Sequence, residues 1–175
     1  MRISRTPLRI TLGGGGSDLP PRREGRCIAA AISLYTYVAV NDYFPGGYLL
    51  RYSDTERVDT VAEIKHDLIR RCLETAGSGP VEITSMSDVP TNTGLGSSGT
   101  FTVGLLRVLQ PAAPKVMIAG QACQIDIGRQ DQYTATYGGL RLWTFDGDDT
   151  YSTVLPVPDW FDQLAVYDTG LRRAT

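Results

Sequence analysis

With 175 residues, the chain is long enough for one domain with a sizeable core and hardly long enough for two. A formal net charge of −2 and a pI near 5.4 give no basic field that would attract nucleic acid or an anionic membrane, and no apolar run approaches the ~20 residues that span a bilayer. The three cysteines lie far apart, which argues against a disulfide framework or a zinc site and favours a reduced, cytoplasmic protein. The single histidine, His66, makes a carboxylate the better candidate for any general base.

The first quarter of the chain predicts strands. Residues 2–12 alternate, with Leu8 on the apolar face and Arg9 on the polar face. A run of four glycines then leads to Asp18. Residues 26–43 predict one or two strands, although their alanines are also compatible with a helix, and residues 47–53 predict the second strand of a hairpin after a Pro-Gly-Gly turn.

The middle of the chain predicts an amphipathic helix over residues 59–76, in which His66 lies off the apolar stripe at a solvated position. A strand over 80–89 and an apolar helix from about Ser98 to Leu109 follow. Beyond them the sequence predicts a helix over residues 116–127, a hairpin over residues 138–157 and a strand at the end of the segment that reaches residue 170. Strands and helices do not alternate strictly, so the pattern predicts an α+β fold.

The loop between strand and helix, "PTNTGLGSSGTF" (residues 90–101), contains the spacing G-x-G-x-x-G. It fails as a dinucleotide fingerprint, because residues 88–93 separate it from the strand and residues 112–122 hold no acid for a ribose. It fails as a Walker A loop, because no lysine stands nearby. What remains is a glycine loop at a helix N-terminus, suited to binding an anion, with serine hydroxyls that can bond phosphate or Mg²⁺. The alternative is a serine-capped helix after a flexible turn.

This loop resembles the second motif of the GHMP kinases, the superfamily of galactokinase, homoserine, mevalonate and phosphomevalonate kinases. Three further groups of residues are similar to the same superfamily in collinear order: "RTPLRITLGGGGSDLP" (5–20), "GRQDQYTATYGGL" (128–140), and, as in its D-glycero-D-manno-heptose 7-phosphate kinases, "RYSDTE" (51–56) with "TGLRRA" (169–174). The resemblance implies that residues 1–175 form an N-terminal domain of the ribosomal protein S5 domain 2-like fold. It also implies that the C-terminal domain is largely absent, with residues 165–175 as its start.

The resemblance also implies roles for individual residues, with ATP and Mg²⁺ as cofactors. Asp131 would take or orient the proton of the sugar hydroxyl, and Arg9 would stabilise the charge of the transferred group. The other implied sites are for ATP (Pro90, Gly94, Leu95, Gly96, Ser97, Ser98, Gly99), for Mg²⁺ (Ser98, Asp126) and for the sugar (Gly16, Ser17, Asp18, Thr169, Arg172). At Gly99 the superfamily accepts any small residue, and at Asp126 it carries a glutamate. From the residues alone, Asp131 could also cap a helix, Arg9 could be an exposed strand residue, and Asp18 could form a turn.

The implied function is an ATP-dependent sugar kinase that phosphorylates the anomeric hydroxyl of a heptose 7-phosphate or a related higher-sugar phosphate, for nucleotide-sugar synthesis. Its expected partners are the sugar phosphate and ATP, with no nucleic acid or membrane and with a homodimer possible. Three alternatives remain open. They are another sugar kinase of the superfamily (for octose phosphate, fucose or galactose), a non-catalytic regulator that binds sugar and ATP, and a purely structural domain.

Overall fold

The structure, a computed structural model, describes residues 1–19 and 24–170. In these residues one mixed sheet contains seven strands, which are β1 (Arg2–Gly13), β2 (Gly25–Asp42), β3 (Tyr48–Arg51), β4 (Thr55–Val58), β5 (Val81–Ser87), β6 (Leu140–Asp146) and β7 (Asp149–Val154). Four α-helices accompany them, namely α1 (Asp67–Ala76), α2 (Ser97–Leu109), α3 (Lys115–Ile125) and α4 (Gln130–Tyr137). No helix of the described ranges has the length and apolar character needed to cross a membrane.

The long strand β2 organises the sheet. Along one edge it pairs with β1, and along the other it pairs with β5 through residues 36–42 and with β6 through residues 25–30. The order along that path is β4-β3-β5-β2-β6-β7, and the β3–β5 pair is parallel whereas the other pairs are antiparallel. This mixed sheet with helices segregated from it confirms the α+β prediction.

The β2–β3 hairpin predicted from the Pro-Gly-Gly turn is wrong. Residues 26–43 belong to a single strand, and β5 lies between β2 and β3, so that β3 forms its hairpin with β4 instead. The reason lies at the end of β2, where the N–H of Tyr43 bonds to the carbonyl of Pro80, directly before β5. A short turn motif predicts that the chain reverses its direction, but it does not predict which strand pairs with the free edge of β2.

The helices form one layer over the sheet, and α2 is its centre. It packs on β1 and β2 and contacts the other three helices. The main core lies between this layer and strands β2, β3 and β5, whereas a smaller cluster around Trp143 and Phe145 joins β6 to α4. Burying these apolar faces places the N-termini of α2 and α4 beside the second half of β1.

A register shift in β1 turns Arg9 towards the helices. Pro7 pairs with Tyr35 of β2, but Arg9 pairs with Ala31, so the alternation of side chains breaks between them. As a result Thr6 and Arg9 both face the helix layer. A Cβ on Gly104 of α2 would touch Thr6, and Arg9 bonds to Asp131 of α4. The regular alternation predicted for this strand, with Arg9 on the polar face opposite Leu8, therefore does not continue through Arg9. Periodicity cannot reveal a bulge.

The helix in the structure is shorter than the one that the amphipathic pattern of residues 59–76 predicts. Residues Val61–Glu63 form a separate 3-10 turn, and α1 begins only at Asp67. Two acceptors interrupt the helix, since the Glu63 carboxylate bonds to the N–H groups of Asp59 and Thr60, and the Glu56 carboxylate bonds to those of Lys65 and His66. His66 is thus the N-cap of α1 and half-buried, which corrects its interpretation as a solvated helix position.

The helices predicted over 98–109 and 116–127, the strand over 80–89 and the hairpin at residues 138–157 are confirmed as α2, α3, β5 and β6–β7. The strand predicted up to residue 170 is wrong for the described residues. The chain there makes a 3-10 turn, Asp159–Gln163, and then continues without regular structure. In this segment the side chains of Leu164, Val166 and Tyr167 are exposed. A strand-like pattern forms a strand only where a neighbouring strand supplies its hydrogen bonds.

Candidate active site

The glycine loop ends at the N-terminus of α2, as predicted. Gly94 and Gly96 have φ values of 78° and 75°, a left-handed conformation that glycine adopts without strain. Gly96 occupies the N-cap position, and no side chain of the described residues caps the helix. The first N–H groups of α2 therefore face outwards at the positive end of the helix dipole, which is an arrangement that binds phosphate.

An ion pair between Arg9 and Asp131 lies beside this loop. The Nε of Arg9 donates to Oδ1 of Asp131 at 2.6 Å, and its Nη1 donates to the carbonyl of Gly94 at 2.7 Å. The backbone N–H of Arg9 also donates to the carbonyl of Leu95. The guanidinium is largely buried, with 13% of the side chain exposed, whereas Asp131 remains 26% exposed. One arginine thus connects β1, the glycine loop and the predicted catalytic acid.

Asp131 packs against the loop and the first turn of α2. A Cβ added to Gly96 would lie 3.0 Å from the carboxyl carbon and from Oδ2 of Asp131, and one added to Gly99 would lie 2.8 Å from its Cβ. Contacts under 3.0 Å essentially never occur, so in this chain residue 99 cannot be enlarged without moving Asp131. The superfamily accepts any small residue at the corresponding position, whereas in this chain the space for a larger residue is taken by Asp131. Gly99 leaves the space that the acid occupies.

Asp18 holds the beginning of α4. It is buried, and its Oδ2 accepts hydrogen bonds from the backbone N–H groups of Arg129 at 2.6 Å and Gln130 at 2.9 Å. A carboxylate at a helix N-terminus satisfies unpaired donors and complements the dipole. Because Asp131 lies in the first turn of that helix, Asp18 fixes the position of the acid. Its expected contact with a sugar stays a prediction.

A cavity of about 640 Å³ brings many of the predicted residues together. Its lining includes Arg9, Gly16, Asp18, Gly94, Leu95 and Asp131. Other predicted sugar ligands lie elsewhere. The Ser17 hydroxyl donates to the carbonyl of Arg26, and Thr169 belongs to the exposed segment that follows Gln163. Arg172 lies outside the described residues.

The predicted metal ligands Ser98 and Asp126 also come together. Burial raises the pKa of the Asp126 carboxyl above its ordinary value, a hydrogen bond from Ser98 opposes that rise, and the charge of Asp131 adds to it. The described residues contain no cluster of three or more His, Cys, Asp or Glu side chains that would hold a metal alone. One carboxylate and one hydroxyl nevertheless fit Mg²⁺, which takes few protein ligands and completes its shell with phosphate oxygens and water.

Residues 64–139, which include the glycine loop, α2, α3 and α4, match the family profile described as "GHMP kinases N terminal domain". This segment is similar to the N-terminal domain of the GHMP kinases, and the chain has the α+β fold of that domain. The sequence resemblance is thus confirmed at the level of the superfamily.

Individual GHMP kinases are similar to the chain over most of its length. It is 28% identical over 169 residues to the D-glycero-alpha-D-manno-heptose 7-phosphate kinase of Campylobacter jejuni, a match that covers 81% of this chain and 50% of that protein. A crystal structure of a D-glycero-D-manno-heptose 1-phosphate kinase from Bacteriodes thetaiotaomicron superposes with a TM-score of 0.79 at 25% identity, covering 90% of this chain and 61% of the other.

The galactokinase of Lactococcus lactis shares the fold at 17% identity, with a TM-score of 0.68 and coverage of 90% of this chain and 48% of its own. The chain spans about half the length of the curated relative that it matches, since the match covers 50% of the Campylobacter jejuni kinase. The fold is common to these kinases of different sugars.

Sequence reasoning missed a second cavity, of about 330 Å³, at the serine end of the glycine loop. Its lining includes the rings of Tyr52, His66 and Phe101 together with Ser97 and Ser98. The ring centroids of Tyr52 and His66 lie 4.7 Å apart, edge to face, and those of His66 and Phe101 lie 5.7 Å apart. The segment "RYSDTE" was the available signal, but its link to His66 depends on tertiary contacts.

Proposed function

We propose that the protein is an ATP-dependent sugar kinase that phosphorylates the anomeric hydroxyl of a heptose 7-phosphate, or of a related higher-sugar phosphate, for nucleotide-sugar synthesis. One observation carries the proposal: the Arg9–Asp131 pair lies against a glycine loop that opens a helix, with the 640 Å³ cavity in front of it. The name of the Campylobacter jejuni relative supports the choice of heptose 7-phosphate.

The glycine loop binds the phosphates of ATP in this proposal. The N–H groups at the start of α2 donate to phosphate oxygens, and the helix dipole stabilises their charge. The adenine ring then lies in the 330 Å³ cavity beside Ser97 and Ser98, against the aromatic side chains of its lining. Ser98 and Asp126 would hold Mg²⁺, which neutralises charge on the β- and γ-phosphates when bound.

Asp131 acts on the sugar hydroxyl. Its Oδ1 is engaged by Arg9, whereas its Oδ2 faces Gly96, next to the proposed position of the γ-phosphate. A hydroxyl in the cavity that donates to Oδ2 is oriented for attack on the γ-phosphorus. Oδ2 takes its proton as the new P–O bond forms and the bond between the γ-phosphorus and the β–γ bridging oxygen breaks, which releases ADP. The guanidinium of Arg9 fixes the carboxylate and places positive charge where negative charge accumulates in the transition state.

The sugar occupies the 640 Å³ cavity between Asp131 and the glycine turn. Gly16 and Asp18 line it, and both are proposed to contact the sugar, Asp18 through the oxygen that does not cap α4. Ser17, Thr169 and Arg172 remain proposed sugar ligands on the strength of the resemblance alone. The cell compartment proposed for this chemistry is the cytoplasm, where ATP and sugar phosphates are found.

A coupled assay of ADP release over a panel of sugars tests this function. The panel contains D-glycero-D-manno-heptose 7-phosphate, an octose phosphate, fucose and galactose, each with ATP and Mg²⁺. We expect turnover to be fastest with the heptose 7-phosphate. Turnover of another sugar alone would correct the substrate, ATP binding without any turnover would favour a regulator, and absence of ATP binding would contradict the proposal.

A further inference from the structure

Glu56 is a buried carboxylate outside the catalytic cavity. It lies on β4 with 7% of its surface exposed, and three donors surround it. The hydroxyl of Tyr52 and the backbone N–H of Lys65 each donate at 2.7 Å, and the backbone N–H of His66 donates at 3.1 Å. Burying a charge is costly unless such partners are present, so the three bonds form a fixed arrangement.

The bonds to Glu56 also govern its protonation. Burial alone would raise its pKa, but the hydrogen bonds from Lys65, Tyr52 and His66 lower the pKa below its ordinary value. The same contact, together with burial, raises the pKa of the Tyr52 hydroxyl to about 12. At neutral pH the pair is therefore a carboxylate with a neutral phenol that donates to it.

Two of the partners of Glu56 form walls of the 330 Å³ cavity. Tyr52 comes from the turn before β4 and His66 from the residue before α1, so that β4 and a 3-10 turn separate the two positions along the chain. The His66 ring is held from its other side as well, because its Nδ1 accepts a hydrogen bond from the N–H of Ile69. Glu56 thus connects the two segments whose rings meet at 4.7 Å.

We infer that Glu56 is a positioning residue for the nucleotide base: it sets the spacing of the Tyr52 and His66 rings that receive the adenine of ATP. The inference rests on the proposed function, since it presumes that ATP is the ligand. Glu56 itself contacts neither the base nor the phosphates. Its loss should weaken binding of the base and leave the binding of phosphate at the glycine loop unchanged.

A matched pair of variants, Glu56→Gln and Glu63→Gln, separates this role from general stability. Each replaces a carboxylate that accepts two backbone N–H groups, but Glu63 is exposed, and its bonding partners Asp59 and Thr60 do not line the cavity. His66 is the only histidine of the chain, so its imidazole NMR signals report on the cavity without ambiguity. The probes are ATP and inorganic tripolyphosphate, each with Mg²⁺, titrated by calorimetry and by NMR.

In wild type we expect ATP to shift the His66 signals and tripolyphosphate to leave them nearly unchanged. Glu56→Gln should bind ATP about tenfold more weakly, the value of one charged hydrogen bond, with unchanged affinity for tripolyphosphate. Glu63→Gln should bind both ligands as wild type does. If Glu56→Gln does not fold, Tyr52→Phe, which removes only the hydroxyl that bonds to Glu56, should show the same selective loss.

Three results would overturn the inference. Wild-type affinity for ATP in a folded Glu56→Gln protein would show that the bonds to Glu56 do not shape the cavity. If Glu56→Gln does not fold, wild-type affinity in Tyr52→Phe would show the same. An equal loss in Glu63→Gln would show a stability effect. Wild-type protein that binds tripolyphosphate but does not respond to ATP at His66 would exclude this cavity as the base site, whereas failure to bind either ligand would contradict the proposed function itself.

Discussion

The Asp131 side chain lies directly against Gly99, so that a methyl group on residue 99 would come within 2.8 Å of the Asp131 Cβ. Gly96 stands in a similar relation to the carboxylate, at 3.0 Å. These two glycines therefore have a second task besides the proposed exposure of N–H groups to phosphate, because they leave the space in which Asp131 approaches the glycine loop. The close approach connects the loop and α4 into one site.

Gly99→Ala should separate these two tasks. Alanine keeps the backbone N–H that would bind phosphate and favours a helix, but its methyl group must displace Asp131. We expect kcat to fall by at least about tenfold, because small displacements of a catalytic group are costly, with ATP affinity within about twofold of wild type in calorimetry. Gly120→Ala in α3 is the matched control, since nothing lies within 4 Å of a Cβ there. An unchanged kcat in Gly99→Ala would contradict the steric account.

Arg9→Lys should show that the shape of the guanidinium is needed as well as its charge. Arg9 bonds to Asp131 through Nε and to the Gly94 carbonyl through Nη1, and a single ammonium cannot reproduce this fork. We expect kcat to fall about a hundredfold, in the range found when one charge-stabilising donor is lost. Arg5→Lys, at an exposed residue over the Tyr35 ring, serves as control. Equal kcat values for the two variants would argue against the role of Arg9.

Asp18 can be tested for its two roles by two substitutions. Asp18→Ala removes the acceptor of the α4 N–H groups and should lower the free energy of unfolding by about 1–2 kcal/mol, the usual cost of losing a cap. Asp18→Asn keeps an acceptor oxygen and should recover most of that loss in urea unfolding. If Asp18 also binds the sugar, the KM for the sugar phosphate rises in both variants. Wild-type stability in Asp18→Ala would contradict the capping role.

Sequence reasoning named residues that the structure brings together, but it missed how they are oriented. The resemblance to the superfamily's motifs pointed to the glycine loop, Asp131 and the Ser98–Asp126 pair, and their roles in catalysis and binding stay predictions. The orientation of Arg9 depends on a bulge that only the pairing with β2 creates. The aromatic cavity depends on Glu56 bonding to residues nine and ten positions later.

The pH dependence of stability should report on His66. Burial lowers its pKa from the ordinary 6.5, despite the charges of Glu56 and Asp67, so the folded protein takes up this proton less readily than the unfolded chain. Stability should therefore fall as the pH drops below about 6.5. His66→Asn keeps an N-cap side chain and cannot titrate, so its melting temperature should change less between about pH 7 and pH 5. The Glu56 carboxyl, with a lowered pKa, contributes only at more acidic pH. Parallel curves for the two proteins would refute the assignment.

The most direct test of the central claim, that Asp131 acts in phosphoryl transfer from ATP to a sugar, is ADP release by wild type and Asp131→Asn with heptose 7-phosphate as acceptor. Asparagine has nearly the same size and can still lie against Gly99, but it is a far weaker proton acceptor. We predict that turnover falls by about a thousandfold or more, the upper part of the range for a general base, while ATP affinity by calorimetry stays near the wild-type value. Full turnover in Asp131→Asn would contradict the account.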